Sequence, residues 1–210
     1  MSAQGAHKVT EMFESELCRY TGAPYAVAVD SESNAIGLCL MKELFPGQKV
    51  FIPCRTYMSV PAEIILAGGH VQFEPCKDNT LTGAYQLGGT RIWDYALRFT
   101  ADMFVPGRLV CVSFTGAYKH LKLGKGGAVL LDDEEMYQWL KKARNSGRNE
   151  CSYHEDNFTM LGHNYYMMPQ IAAQGLLLMN QFYNIDGSKK HMPDISLPYP
   201  DLSRFEIYTR

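Results

Sequence analysis

No stretch of this 210-residue chain reaches the roughly 18 consecutive apolar residues that a membrane-spanning helix needs. Nor does the N-terminal MSAQGAHKVTEMFE contain the apolar core of a secretory leader, so a cytoplasmic protein without a membrane partner is expected. Basic runs are missing too. Lysine and arginine number 20 against 22 aspartates and glutamates, a formal net charge of -2, which leaves no electrostatic footprint for nucleic acid. The six cysteines (Cys18, Cys39, Cys54, Cys76, Cys111 and Cys151) include no CxxC pair. Neither a zinc site nor a disulfide framework is expected, and buried free thiols are the simpler reading. A nucleotide-binding GxxxxGK[ST] loop fails as well: Lys119 stands where its first glycine is required, and Gly126 replaces the final Ser or Thr. No GxGxxG opens the first helix, which disfavours a dinucleotide fold.

What is present is an ordinary globular composition, 46% hydrophobic and 20% charged, suited to one soluble domain. Along it the apolar period switches repeatedly between helix and strand. Val9, Met12, Phe13, Leu17 and Tyr20 follow helical spacing up to the TGAP turn at 21–24. Strands are expected at 25–31, 50–53, 70–73, 91–94, 109–114 and 128–131. Helices are expected from Ser33 to Pro46, at 61–69, at 133–144 and at 169–182. Strands alternating with crossover helices predict an α/β fold, a three-layer α/β/α sandwich on a mostly parallel central sheet. In such sheets ligands bind at the carboxyl ends of the strands.

Those ends read DSESN (30–34), PCRTY (53–57), WDYA (93–96) and SFTGAYK (113–119). Taken singly, each polar residue has an ordinary explanation: Ser33 as a helix cap, Tyr57 as core, Asp94 as a turn former, Lys119 as a solvated charge. Jointly they supply what pyridoxal phosphate requires: an amine to condense with its aldehyde, an anion for its ring nitrogen, a flat face to stack on, and hydroxyls at a helix N-terminus for its phosphate.

The motifs themselves resemble those of the DegT/DnrJ/EryC1/StrS sugar aminotransferases, which have the type I aminotransferase fold. Ser113-Phe114, Lys119 and the run Gly124-Lys125-Gly126-Gly127 follow that family's pattern of serine, phenylalanine, lysine and GxGG. SESNAIGL is similar to its SGTNAL turn, IPCRTYMSVPAEIILAGG to its PxxTYxAT segment, WDYA to its EDxA motif and LGHNYYMMPQIAAQGL to its GyNyRm…qAA stretch. The matches keep the family's order from about residue 9 to 183.

The resemblance implies a pyridoxal 5'-phosphate-dependent aminotransferase that moves an amino group from a donor such as glutamate to a keto-sugar nucleotide. It implies Lys119, rather than Lys122, as the lysine that attaches the cofactor and then serves as base and acid. Asp94 would pair with the ring nitrogen and Tyr57 would stack on the ring. Ser33, the Asn34 amide and Ser113 would hold the phosphate, with Asn164 reaching in from the partner subunit of a homodimer. There are departures. Leu97 stands where a glutamine or histidine is usual, Lys125 where an acidic residue is usual, Tyr166 in place of an arginine and Ser33 in place of a threonine; the serine-to-lysine spacing is one residue longer. Residues 1–183 would form the cofactor-binding large domain and 184–210 an irregular tail, with the family's small C-terminal domain absent. A non-catalytic cofactor-binding or interaction module of the same descent is the alternative expectation.

Overall fold

The computed structural model describes residues 3–76, 78–152 and 154–209. Helix and strand alternate as the period demands: α1 (Ala3–Thr21), β1 (Tyr25–Val29), α2 (Glu32–Glu43), β2 (Lys49–Pro53), α3 (Ser59–Leu66) and β3 (His70–Glu74). Two short strands, β4 (Thr80–Thr82) and β5 (Tyr85–Gln86), lead into β6 (Ile92–Asp94), β7 (Leu109–Ser113) and β8 (Gly127–Leu131). Helices α4 (Glu134–Ala143) and α5 (Pro169–Met179) follow, then β9 (Ser196–Pro198). No helix among the described residues is long and apolar enough to cross a membrane.

The central sheet has the order β1-β8-β7-β6-β5. Strand β8 is antiparallel to both β1 and β7, β6 is parallel to β7, and β5 is antiparallel to β6. The parallel pair β2-β3 joins this sheet where Phe51 N donates to Gly88 O at 3.1 Å and Gly88 N donates to Phe51 O at 2.8 Å. Five strands (β1, β2, β3, β6 and β7) therefore run one way, with β5 and β8 reversed. The carboxyl ends of the five open on one edge.

Alternating side chains point to opposite faces of a strand, so each face needs its own cover. Ala26 and Ala28 of β1 join Phe13 and Leu17 of α1 and Ala172 of α5 in one core. Val27 and Val29 join Ile36 and Leu40 of α2, Ile64 of α3 and Leu140 of α4 in the other. Three α/β/α layers result. Each fully buried Leu or Phe in these cores contributes about 1.5–3 kcal/mol of transfer free energy, which fixes the helices that carry the site.

Two local expectations are corrected. Helix α2 starts at Glu32 rather than Ser33, because Ser31 is the N-cap: its Oγ accepts the Asn34 N–H at 3.2 Å. Ser33 sits in the first turn, its Oγ 2.6 Å from Ser59 Oγ. The segment after α5 is also more ordered than its proline-rich composition suggests. Within it β9 pairs with β4, Ile195 N donates to Leu97 O at 2.8 Å, Leu202 N donates to Cys54 O at 2.8 Å, and Leu202 is buried. This path carries residues 195–202 across the carboxyl ends of β2 and β6.

Candidate active site

A cavity of about 340 Å³ opens on that edge. The start of α2 supplies Ser31, Glu32 and Ser33, the end of β7 supplies Ser113, and the loop that follows supplies Tyr118 and Lys119. Tyr57, beyond β2, and Tyr199, from the returning segment, complete the mouth with rings 6.5 Å apart in an edge-to-face contact. The glycine pair at the start of β8 has a steric cause. A Cβ on Gly127 would lie 2.5 Å from Glu32 N and 2.7 Å from Ser31 C, so only glycine lets β8 pass this close to the helix start.

Lys119 is 4% exposed, and its Nζ donates to the Ala96 carbonyl and stands 5.0 Å from the Tyr118 ring centre. Burial pushes its pKa below the ordinary lysine value, against the opposing pull of Glu32 and Asp94. A lysine is tolerated at this buried strand end because neighbouring carboxyls favour its ammonium, while burial makes the amine easier to neutralise.

Asp94 is buried at the end of β6, where its Oδ2 accepts the Tyr85 hydroxyl at 2.8 Å and its Oδ1 accepts Ala96 N–H at 2.8 Å. Because the single Tyr85 proton is committed to Asp94, Thr56 Oγ1, 2.6 Å from the Tyr85 oxygen, is the donor in that contact. Burial and the nearby Asp94 push the Tyr85 pKa well above its usual value, keeping the phenol protonated as a donor. Glu32 lies against the same pair: burial, followed by the negative charge of Asp94, raises its pKa, and its Oε1 is enclosed with no hydrogen-bond partner.

Among the residues expected from sequence, Ser33, Tyr57, Ser113 and Lys119 line one cavity, with Asp94 bonded beneath it through Ala96. Asn34 is not brought to the cavity; its Nδ2 donates to Asp30 Oδ1 at 2.6 Å. Asn164 is exposed and lines a neighbouring cavity of about 250 Å³ with Tyr166 and Met167; Lys125 lines both cavities. Three site residues were not anticipated. Glu32 stood in plain view, a charged residue in the helix turn where the resembling motif has glycine. Tyr85 and Tyr199 carried no signal, since Tyr85 lies in a two-residue strand and Tyr199 follows a three-residue one, both too short to show a period.

The donor set suits pyridoxal phosphate. The first-turn N–H groups of a helix lack intrahelical partners and favour an anion, and the serine hydroxyls flank them. An amine of lowered pKa and a buried carboxylate stand at the other end. The discordant atom is Glu32 Oε1, a buried acceptor without a donor.

The profile of the DegT/DnrJ/EryC1/StrS aminotransferase family matches residues 3–83 and 106–195. The segment that carries Tyr85 and Asp94 lies between the two matched stretches. A UDP-4-amino-4,6-dideoxy-N-acetyl-beta-L-altrosamine transaminase of Campylobacter jejuni is 23% identical over 232 residues, covering 91% of this chain and 61% of its own length. Among solved structures, AtS13 from Actinomadura melliaura superposes with a TM-score of 0.71 at 20% identity, covering 82% of this chain and 59% of that one. DesV of S. venezuelae superposes with a TM-score of 0.65 at 21% identity, covering 83% of this chain and 57% of that one. At such identities the structural likeness establishes the fold, and the chain spans about three fifths of the length of these relatives.

Proposed function

Because the chain belongs to the DegT/DnrJ/EryC1/StrS aminotransferase family, we propose that it binds pyridoxal 5'-phosphate beside Lys119 and transfers an amino group from an amino acid such as glutamate to a keto-sugar nucleotide. The observation that supports this reading most is a cavity lined by a buried amine and a serine-flanked helix N-terminus, with the buried Asp94 carboxyl bonded just beneath it. When bound, the cofactor supplies an electron sink for the bond broken at the donor's α-carbon.

The chain's own groups do the rest. Ser33, Ser113 and the first-turn N–H groups of α2 hold the phosphate, drawn by the positive end of the helix dipole. Asp94, held in place by the Tyr85 hydroxyl and the Ala96 N–H, would present its carboxyl to the ring nitrogen. Tyr57 gives one face of the ring an aromatic neighbour. The Nζ of Lys119, more readily neutral for its lowered pKa, would serve as the base for the proton of the donor's α-carbon and, once protonated, as the acid that gives it back. Asn164, exposed beside the adjoining cavity, is available to a second copy, and we read the working form as a cytoplasmic homodimer with a shared site.

The test is a pair of half-reactions. Protein loaded with cofactor is expected to absorb in the visible, to lose that band on addition of an amino donor, and to regain it with a keto-sugar nucleotide. A band that persists with every amino acid tried would make the chain a binding module and remove the transferase reading.

A further inference from the structure

Asp94 is crowded. Its two oxygens already accept the Tyr85 hydroxyl and the Ala96 N–H, and the Glu32 carboxyl lies beside it while lining the same cavity as Lys119. Glu32 thus reaches from the first turn of α2 into the space bounded by the amine and the carboxylate. A ring attached at one and bonded to the other would need that space. The backbone of Glu32 is held on its other side by Gly127, whose close approach prevents the helix start from backing away toward β8. The Glu32 Oε1 is enclosed without a hydrogen-bond partner, so the side chain gives up hydrogen-bonding capacity to lie there. The Glu32 position is held by an acid that fits imperfectly, which makes it displaceable.

We propose that Glu32 is a built-in competitor of the cofactor ring: its carboxyl occupies the place on Asp94 that the ring nitrogen would take, so that the cofactor enters by displacing it. This inference rests on the reading that the cavity takes pyridoxal phosphate, and it assigns Glu32 a positioning role that sets cofactor affinity. Both carboxyls draw the Lys119 amine toward its charged form, against the effect of burial. Displacement exchanges the Glu32 carboxyl for the ring at the same Asp94 side chain.

The experiment measures the Kd of pyridoxal 5'-phosphate for the natural chain, E32A and E32Q by absorbance titration. Alanine removes the competitor without a loss of helix propensity, whereas glutamine keeps its volume and can donate an amide N–H to Asp94. E32A is expected to bind about 10- to 100-fold more tightly, the worth of a hydrogen bond to a charged group, and E32Q to remain within a few-fold of the natural chain. Pyridoxal, which has the ring without the phosphate, is the second probe; the competition proposed requires the same tightening for it. Equal Kd values for the natural chain and E32A overturn the inference and leave the cofactor reading standing. Tightening for the phosphate form alone also overturns it, since Glu32 would then act through its charge on the phosphate. If neither the natural chain nor E32A takes up either compound, the reading of the site falls, and this inference with it.

Discussion

Gly127 and Gly124 occupy one loop-strand junction for different reasons, and replacing each by alanine separates them. Gly127 has no unusual backbone angle; its cost is one of space. An added Cβ would meet Glu32 N at 2.5 Å, Ser31 C at 2.7 Å and Glu32 Cα at 2.8 Å, all of them backbone atoms at the capped start of α2. No side-chain rotation relieves such contacts, so either β8 leaves the sheet register or the helix start moves. Overpacking of a filled site costs about 1–3 kcal/mol, and with backbone on both sides G127A belongs at the upper end, about 3 kcal/mol. Gly124 meets nothing within 4 Å, yet its φ is +75°. G124A therefore pays only the left-handed penalty, about 1–2 kcal/mol. Urea unfolding followed by tryptophan fluorescence should give G127A the lower midpoint of the two at unchanged m. The reasoning fails if G127A unfolds at the natural midpoint, or if G124A proves the more costly.

Other outcomes follow from the same structure. Arg144 is 2% exposed and donates to Glu14, to the Ala28 carbonyl at 2.6 Å and to Glu150 at 2.8 Å; R144M strands a buried Glu14 and should cost about 3–5 kcal/mol by calorimetry. Asp94 raises the pKa of Lys119 against burial, so D94N should lower it further and move the pH midpoint of cofactor attachment downward; a midpoint that rises contradicts the coupling. Tyr199 walls the mouth from a segment distant in sequence. Y199A should leave attachment at Lys119 intact while raising the KM for the keto substrate, and an unchanged KM would remove Tyr199 from the substrate wall.

Much of this arrangement was legible in the residues. Long apolar strands such as LVCVS and GAVLL announce themselves because both faces of the sheet are covered. Once the strands are placed, their polar ends bring Ser113, Asp94, Tyr57 and Lys119 to one edge without further information. Short elements escape such reading. A two-residue strand has no period, yet β5 fills the gap between β2 and β6 and aims Tyr85 at Asp94. The cap of α2 was misplaced by two residues because Ser31 and Ser33 are equally good cappers, and the geometry of the Asn34 N–H decides between them. Tyr199 lies far along the chain from the rest of the cavity; the β4-β9 pairing and the Leu202 contact with Cys54 bring it back.

The central claim is that the Lys119 amine and the Asp94 carboxylate serve the two ends of one cofactor. It is tested most directly by reducing the chain with borohydride in the presence of pyridoxal 5'-phosphate and locating the added pyridoxyl phosphate by peptide mass spectrometry. The account predicts the label on Lys119, diminished in D94N and absent from Lys122 and Lys125. Label on either of those two lysines in place of Lys119, or none anywhere, would contradict it.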